Sequence, residues 1–248
     1  MSRFTELSTE LHFRAVQGCG GPVLDVGCGD GSSVARHLGA SSVSSMIGLD
    51  GYGPACAAAR RSGLTVLQAD LERRWPIDDG SVDAVSANQV IEHVTETDHF
   101  AQECYRVLRD GGIAVVSTEN LAAWPNIASL LIGQEPFSNN YSKRQWAIGN
   151  RLSRRCGPLP PEVAAYPHRS VGSYQAVADL FVHHGFRHAG SLGVHPAPLP
   201  APLLRLLRRV DVRHAMYITL VLHKPDRPDG ARIGQAVRQE RLLHRRAA

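Results

Sequence analysis

The sequence predicts an α/β fold in which a parallel sheet carries helices on both faces. Three observations lead to this prediction. Short apolar segments alternate with segments of helical spacing between residues 22 and 118. A glycine-rich turn, VGCGDGS at 26–32, directly follows the first apolar segment. Acidic side chains stand where the second and third apolar segments end, on the edge where open α/β sheets bind ligands.

The first half of the chain supplies five strands and their helices in alternation. Phe4, Leu7, Leu11 and Ala15 recur at helical spacing and predict an N-terminal helix over 4–17. Apolar runs predict strands at residues 22–26, 43–49, 65–69, 81–87 and 113–118. Helices are predicted between them at 33–38 and 54–61, and around Phe100, Cys104, Val107 and Leu108. A glycine follows each of these intervening helices, as is typical of a helix end.

The alternation stops at Glu119, and residues 121–170 are predicted to form a cap inserted over the working edge of the sheet. This segment is rich in Pro, Asn, Trp and Arg and shows no strand alternation. The closing elements are predicted as a helix around Val177, Leu180 and Phe181, strands at 186–192 and 216–222, and an amphipathic helix at 203–210. We therefore expect one domain over 1–225, comprising an N-terminal helix (1–20), a cofactor-binding core (21–120), the cap (121–170) and closing elements (171–225). Residues 226–248 are expected to form a basic, mobile tail.

Composition and charge restrict the classes of protein to be considered. The 248 residues are 43% hydrophobic and 20% charged, which is ordinary for a globular protein with a sizeable core. Most of the net charge of +4 lies in the tail, so the body is nearly neutral and a nucleic-acid partner is not expected. No apolar run approaches the ~20 residues of a membrane span. Neither a leader peptide nor a paired-cysteine framework is indicated, so the expected location is cytoplasmic.

The glycine-rich turn is predicted to hold a ligand against the backbone. Gly27 and Gly29 fit the G-x-G-x-x-G pattern of dinucleotide sites, but Ser32 stands where the third glycine belongs. Asp25 lies two residues before the first glycine, where its carboxylate would repel a pyrophosphate and suits a ligand with a positive group such as an ammonium. S-adenosylmethionine combines an adenosine, an amino acid and a sulfonium, and is therefore the predicted cofactor.

Further candidate cofactor contacts lie at the ends of the next strands. Asp50 ends the second strand, where a carboxylate can accept hydrogen bonds from both ribose hydroxyls. Asp70 ends the third strand, where it can accept the adenine amino group, and Asn88 follows the fourth, where the loop faces the methionine moiety. The predicted cofactor site also includes the adjoining positions Cys28, Gly51 and Leu71.

These segments resemble class I S-adenosylmethionine-dependent methyltransferases, in particular the group that includes ubiquinone-biosynthesis and natural-product enzymes. The resemblance covers about residues 20–120 and rests on VLDVGCGDG, IGLDGY, LQADLERRWPIDDGSVDAVSANQVIEHV and CYRVLRDGGIAVVSTEN. More loosely, PHRSVGSYQAVADLFVHHGF is similar to the segment that re-enters the core after the cap in this group. The resemblance implies a Rossmann-like, seven-stranded, mostly parallel sheet with an antiparallel last strand. It also implies that the N-terminal helix closes over the cofactor, so that Arg14 pairs with the cofactor carboxylate; the alternative is a surface arginine.

The acceptor is predicted to be a small molecule that is methylated on a hydroxyl. Enzymes that methylate amino groups of nucleic acids or of glutamine carry an NPPY-type tetrapeptide after the fourth strand, and this sequence reads SANQ there. Transfer to a hydroxyl needs a base, and some related small-molecule enzymes have a histidine base at the position of His93. His168 could enter the pocket from the cap as a second candidate. Either histidine could instead simply bind a nearby backbone group.

Side chains of the predicted cap bear on the class of acceptor. An aromatic set could line a pocket for a flat or glycosidic acceptor, or could form the core of the cap: Trp124, Phe137, Tyr141 and Trp146. A basic cluster either receives an anionic acceptor or is a solvated face: Lys143, Arg144, Arg151, Arg154 and Arg155. No metal site is expected, because no acidic cluster follows the fourth strand and His184 and His188 straddle a glycine. Amine, RNA or protein methylation, a non-catalytic cofactor-binding scaffold, and a homodimer stay open.

Overall fold

The computed structural model of the protein describes residues 3–17, 19, 21–39, 45–139, 141–153, 157–159, 166–195 and 210–226. These residues form a seven-stranded sheet with strand order β3-β2-β1-β4-β5-β7-β6. Its strands are β1 (Val23–Val26), β2 (Met46–Asp50), β3 (Thr65–Gln68), β4 (Val82–Asn88), β5 (Leu108–Glu119), β6 (Arg187–Val194) and β7 (Tyr217–His223). Strands β1 to β5 pair in parallel, whereas β7 is antiparallel to both β5 and β6. The predicted fold class, with its antiparallel last strand, is confirmed.

Helices cover both faces of the sheet. They are α1 (Arg3–Val16), α2 (Ser32–Leu38), α3 (Gly53–Arg61), α4 (Thr97–Val107), α5 (Trp124–Leu131) and α6 (Tyr174–His183), with single 3₁₀ turns at Ile91–His93 and Val212–His214. Helices α1, α2 and α3 bury Phe13, Val34 and Cys56 against one face. Helices α4 and α6 bury Phe100 and Phe181 against the other. None of the helices described combines the length and the apolar character needed to cross a membrane.

Strand β1 divides its side chains between the two cores. Successive side chains of a strand point to opposite faces, so Leu24 and Val26 enter the core under α4 and α6, and Val23 enters the core under α1. Asp25 shares the face of Val23 and is only 4% exposed. The alternation therefore places a carboxylate inside the protein, on the α1 side of the sheet, directly before the glycine turn.

Strand β5 begins earlier than predicted. Leu108 was expected on the preceding helix, but its backbone is extended (φ −69°, ψ 137°) and it starts a strand of 12 residues. Leu108 pairs with Val82, and the register then shifts before Ala84 pairs with Ile113. The start of β5 was not predicted because Gly111 and Gly112 interrupt the apolar pattern on which strand predictions depend.

Some predicted elements fall outside the described residues. These are most of the helix expected at 203–210 and the tail beyond Asp226, together with Arg154 and Arg155 of the basic cluster. The division of the chain into core, cap and closing elements stays a prediction.

The segment after β5 begins with a helix that the sequence analysis did not identify, α5. Buried Asn126 on α5 donates hydrogen bonds to the carbonyl of Asn120 and to the hydroxyl of Ser138, each at 2.9 Å. At the other end of the segment, the amides of Arg169 and Ser170 donate to the carbonyl of Glu92 at 2.6 and 3.2 Å. These bonds fasten both ends of the segment at the carboxyl edge of the sheet, Asn120 just after β5 and Glu92 just after β4.

Candidate active site

The glycine turn after β1 packs closely against Val90 and is open on its other side. Gly27 and Gly29 both have left-handed backbones, with φ of 68° and 55°, which glycine adopts at little cost. A Cβ atom at Gly27 would lie 2.5 Å from Cγ2 of Val90, whereas a Cβ atom at Gly29 would meet nothing within 4 Å. The amide of Gly27 donates to the carbonyl of Leu49 at 2.7 Å, which ties the turn to β2. Open space therefore remains beside the backbone at Gly29.

A cleft of about 780 Å³ opens at the carboxyl ends of β1 to β4. This volume lies within the range of about 300–1,000 Å³ that is usual for small-molecule and cofactor sites. Seven predicted site residues line the cleft: Gly27, Gly29, Asp50, Gly51, Asp70, Leu71 and His93. Residues that the sequence analysis did not single out also line it, among them Tyr52, Gln68, Gln89, Tyr166 and Arg169.

Asp50 organises the centre of the cleft. Its Oδ2 accepts the amide of Gly29 at 2.9 Å, and its Oδ1 accepts the amide of Tyr52 at 2.7 Å. The carboxylate thus joins the glycine turn to the start of α3. Each carboxylate oxygen can accept more than one hydrogen bond, so capacity remains for hydroxyl groups of a ligand in the cleft.

Asp70 and Leu71 form the wall of the cleft beyond β3. Asp70 is exposed, and its Oδ1 accepts the amide of Glu72 at 3.0 Å, which holds the carboxylate in a local turn. Leu71 is partly buried and packs against the core under α4 and α6. The pair offers one hydrogen-bond acceptor and one apolar surface, which suits a flat heterocycle with an exocyclic amino group.

Asp25 lies beneath the cleft and is not one of its lining residues. The hydroxyl of Ser86 donates to Oδ1 of Asp25 at 2.7 Å, and the two residues are register partners across β1 and β4. Burial raises the pKa of Asp25 to about 7; the hydrogen bond from Ser86 opposes this rise, and the nearby charge of Asp50 adds to it. A cation placed near this carboxylate would favour its ionised form.

Three other predicted cofactor residues do not line the cleft. Cys28 is buried at 6% exposure, and its thiol faces the core, 2.6 Å from where a Cβ atom on Gly48 would lie. The side-chain amide of Asn88 is occupied by Thr9 and Ser117. Arg14 forms an ion pair of 2.6 Å with Glu10, and its side chain is 68% exposed. In this structure Arg14 is thus exposed and paired within α1, whereas Cys28 and Asn88 lie behind the cleft; their predicted contacts with the cofactor stay predictions.

The two candidate catalytic histidines lie together. The rings of His93 and His168 have centroids 4.9 Å apart and meet edge to face at 69°. His93 lines the cleft at the strand ends, whereas His168 lines a second cavity of about 90 Å³. Tyr166 lines both cavities. The structure therefore brings the cleft and the second cavity together at His93, His168 and Tyr166.

The predicted acceptor residues divide into two pairs. Phe137 and Trp146 line the second cavity beside His168. Trp124 instead stacks on His214 at 4.2 Å between centroids and donates its indole N–H to Asp211 at 2.9 Å. Tyr141 is 79% exposed. Neither Trp124 nor Tyr141 is among the residues that line either cavity.

The histidine pair lies in a region of perturbed ionisation. Burial, the larger cause, and the neighbouring His168 together lower the pKa of His93 to about 4. His93 is therefore neutral near pH 7, with a lone pair available to accept a proton. The Nδ1–H of His168 donates to the carbonyl of Ser138 at 2.8 Å, since a carbonyl oxygen can only accept.

Glu92 is a buried acid that the sequence analysis did not single out. Its side chain is fully buried, its Oε2 accepts the hydroxyl of Thr118 at 2.8 Å, and burial raises its pKa above the ordinary range. One atom each from Glu92, His93 and His168 lie within 4.8 Å of one another, a set that could hold a metal ion. No metal site was expected from the sequence, but these three residues form a candidate one. The sequence analysis did not identify the set because His168 lies 75 residues from His93 along the chain.

Comparison with known proteins identifies one domain of the chain. Residues 24–116 match the family model described as a methyltransferase domain. A probable S-adenosylmethionine-dependent methyltransferase from Mycolicibacterium smegmatis is 40% identical over 114 residues, 44% of this chain and 43% of that relative. A ubiquinone biosynthesis O-methyltransferase from Bradyrhizobium is 32% identical over 126 residues, 46% of this chain and 45% of that relative. The matches span less than half of these curated relatives.

The similarity in fold extends over most of the chain. The crystal structure of an S-adenosylmethionine-dependent methyltransferase from Thermotoga maritima, described as a possible histamine N-methyltransferase, superposes with a TM-score of 0.58. It covers 90% of each chain at 18% identity, which shows a shared fold. The matched domain contains the glycine turn and the ends of β1 to β4 that form the cleft. Residues 24–116 therefore form a methyltransferase domain, and the described residues share the fold of solved S-adenosylmethionine-dependent methyltransferases.

Proposed function

We propose that the protein transfers a methyl group from S-adenosylmethionine to a hydroxyl of a small molecule. The observation that carries this proposal is the junction of two cavities. The cleft at the strand ends is large enough for the cofactor, the second cavity lies under the cap, and His93, His168 and Tyr166 stand where the two meet. In-line transfer requires this arrangement, because donor and acceptor must face each other with water excluded.

The cleft residues fit the cofactor by their chemistry. Asp50 would accept the ribose hydroxyls, in addition to the two amides that already hold it. Asp70 and Leu71 would receive the adenine, and Asp25 would attract the ammonium from below the glycine turn. When bound, S-adenosylmethionine supplies an electrophilic methyl group on its sulfonium.

His93 would remove the proton of the acceptor hydroxyl. The neutral state of its imidazole near pH 7 favours this role, because a base must be unprotonated before it acts. Burial that lowers the pKa also makes the base weaker, so the acceptor hydroxyl must be acidic or must be losing its proton as the methyl group arrives. His168, on the acceptor side, would orient the hydroxyl or serve as the base in its place.

The acceptor would enter through the cap. Phe137 and Trp146 offer aromatic surface to a flat or glycosidic group, and the second cavity of about 90 Å³ admits only part of such a molecule in this conformation. The relatives named as ubiquinone biosynthesis O-methyltransferases support a hydroxyl acceptor. An amine acceptor is the second candidate, since the weak base at His93 would suffice for a nucleophile that is already neutral.

The experiment that tests this function follows a labelled methyl group. The full chain is incubated with S-adenosylmethionine labelled on the methyl and with panels of phenols, glycosides and amines. Label in an O-methylated product that is lost in the His93→Ala variant, which still binds S-adenosylhomocysteine, supports the proposal. Label confined to amine products would replace the hydroxyl by the second candidate. Cofactor binding with no transfer to any panel would favour a scaffold.

A further inference from the structure

The face of α1 that packs on the sheet carries polar side chains. Ser8, Thr9 and His12 are each at most 1% exposed, and Ser8 and Thr9 precede His12 by four and three residues, which places them on one side of the helix. Helix faces of this kind usually bury apolar residues, because a buried polar group costs free energy unless it finds a partner. Thr9 and His12 find partners on β4, in Asn88 and Ser86, near the end of the sheet where the cleft opens.

His12 is the first member of a buried chain of hydrogen bonds that ends on Asp25. Its Nε2 lies 2.9 Å from the hydroxyl of Ser86, and that hydroxyl donates to Oδ1 of Asp25 at 2.7 Å. Since Ser86 has a single proton and gives it to the carboxylate, its oxygen must accept from His12. His12 therefore carries its proton on Nε2, and its Nδ1 is buried without a hydrogen-bond partner in the described part of the chain.

Burying His12 in this way lowers the stability of the folded protein relative to an apolar side chain. An imidazole buried with one nitrogen unsatisfied is costly, and a leucine at this position would fill comparable space at no such cost. Burial lowers the pKa of His12 to about 3, so it is a neutral donor at any pH at which the protein works. What the histidine provides is a fixed N–H directed at Ser86.

A second chain starts from the same helix face. The side-chain amide of Asn88 donates to the hydroxyl of Thr9 at 3.3 Å, and its Oδ1 accepts the hydroxyl of Ser117 at 2.6 Å. Asp25 and Asn88 were both predicted as cofactor residues, and neither lines the cleft directly. Both are instead held from the α1 side, so one helix face supports two strand ends of the cofactor site.

We propose that His12 and Ser86 are positioning residues that act through Asp25 on the amino-acid part of the cofactor. The inference rests on the proposed function, in which Asp25 attracts the cofactor ammonium. Because Ser86 occupies Oδ1, the other oxygen, Oδ2, has no hydrogen bond from the described residues and is left for the ligand. His12 sets the direction of the Ser86 hydroxyl and so decides which oxygen is free.

The test compares two ligands that differ in the amino-acid part. S-adenosylhomocysteine carries the ammonium, whereas 5′-methylthioadenosine has the same adenosine and no amino acid. Dissociation constants for both are measured by calorimetry on the full chain. Ser86→Ala and His12→Leu are expected to weaken S-adenosylhomocysteine about tenfold, as for loss of a hydrogen bond to a charged group, and to leave 5′-methylthioadenosine within about twofold.

Two further variants separate positioning from packing. In His12→Gln the side-chain amide can replace the Nε2 donor, so affinity for S-adenosylhomocysteine is expected to return close to that of the native protein. Ser129→Ala removes another fully buried hydroxyl, which lies on α5 away from this chain of hydrogen bonds. This matched control should leave the dissociation constants of both ligands unchanged. Melting temperatures are recorded for each variant.

The outcomes distinguish this inference from the function on which it rests. Equal weakening of both ligands, in step with a lower melting temperature, would reduce His12 and Ser86 to structural residues and overturn the inference. Unchanged binding of S-adenosylhomocysteine in Ser86→Ala would also overturn it. Asp25→Asn tests the premise separately: if it leaves the ratio of the two affinities unchanged, the role of Asp25 itself is wrong. If Asp25→Asn shifts the ratio and Ser86→Ala does not, only the positioning role fails.

Discussion

Asp50 is the residue whose removal should affect the cofactor most directly. Its two oxygens accept the amides of Gly29 and Tyr52 at 2.9 and 2.7 Å, and it lines the cleft between them. Asp50→Ala removes two kinds of interaction. The ribose hydroxyls lose a charged acceptor, and the glycine turn loses its tie to the start of α3.

The size of the effect follows from the kind of bond that is lost. Hydrogen bonds to a charged group contribute about 1.5–3 kcal/mol, which corresponds to a weakening of cofactor binding by about tenfold to a hundredfold. Asp50→Asn keeps one acceptor oxygen and the size of the side chain, so it should fall between the native protein and Asp50→Ala. Calorimetry with S-adenosylhomocysteine measures both.

A matched control is available on the same protein. Asp78 is an exposed acid outside the cleft, and Asp78→Ala should leave the dissociation constant unchanged. If Asp50→Ala folds, with a melting temperature near that of the control, and still binds with native affinity, the assignment of Asp50 to the ribose is refuted. Native affinity in Asp50→Asn would show that neither the charge nor the second acceptor oxygen is needed, which would contradict a bond from the carboxylate to both ribose hydroxyls.

Four other predictions follow from the structure. His93→Ala should lower kcat by about two orders of magnitude and retain affinity for S-adenosylhomocysteine, whereas the control His183→Ala, at an exposed histidine, should change neither. The acidic limb of the native pH–rate profile should lie near the lowered pKa of His93, about 4, and a limb near pH 6.5 would point to another base. Trp146→Ala should raise KM for the acceptor and spare cofactor binding, whereas Tyr141→Ala, outside both cavities, should change neither; equal effects would move acceptor recognition elsewhere. Chelation with EDTA should leave turnover unchanged and added Zn²⁺ should inhibit, since a metal ion would take the lone pair of His93; activity that requires the ion would reverse this. His93 binds a proton near pH 6.5 in the unfolded chain and only near pH 4 in the folded chain, so acidification between these values should lower the free energy of unfolding by up to about 3 kcal/mol. Urea titrations of the native and His93→Gln proteins should therefore diverge between pH 6.5 and 4, and parallel curves would contradict the lowered pKa of His93.

The cofactor half of the molecule was predictable because its signals are local. Gly27 and Gly29 indicate a turn with left-handed backbone, which few other residues adopt. Asp50 and Asp70 stand at the ends of short apolar strands, and these ends meet at the carboxyl edge of the sheet. The number of strands and the antiparallel last strand came from the family resemblance rather than from the residues alone. Strand β5 was shortened in the prediction, because glycines at its start masked its first residues.

The acceptor half was less predictable because its contacts span the sequence. His168 reaches His93 across 75 residues, and no periodicity links the two. Trp124 and Trp146 look alike in sequence, but only Trp146 lines the second cavity. The position of Asp25 beside the turn is visible in the sequence, but its burial and its hydrogen bonds through Ser86 to His12 depend on which face of β1 meets α1.

The most direct test of the central claim is hydrogen–deuterium exchange of the full chain, with and without saturating S-adenosylhomocysteine. The account predicts slower exchange of the backbone amides in the glycine turn at 26–32, after β2 at 50–53 and after β3 at 69–72, because these segments line the cleft. Exchange in α5, which contributes no residue to the cleft, should stay the same. Protection confined to other segments, or no protection at a concentration that saturates binding, would contradict the placement of the cofactor and with it the proposed methyl transfer.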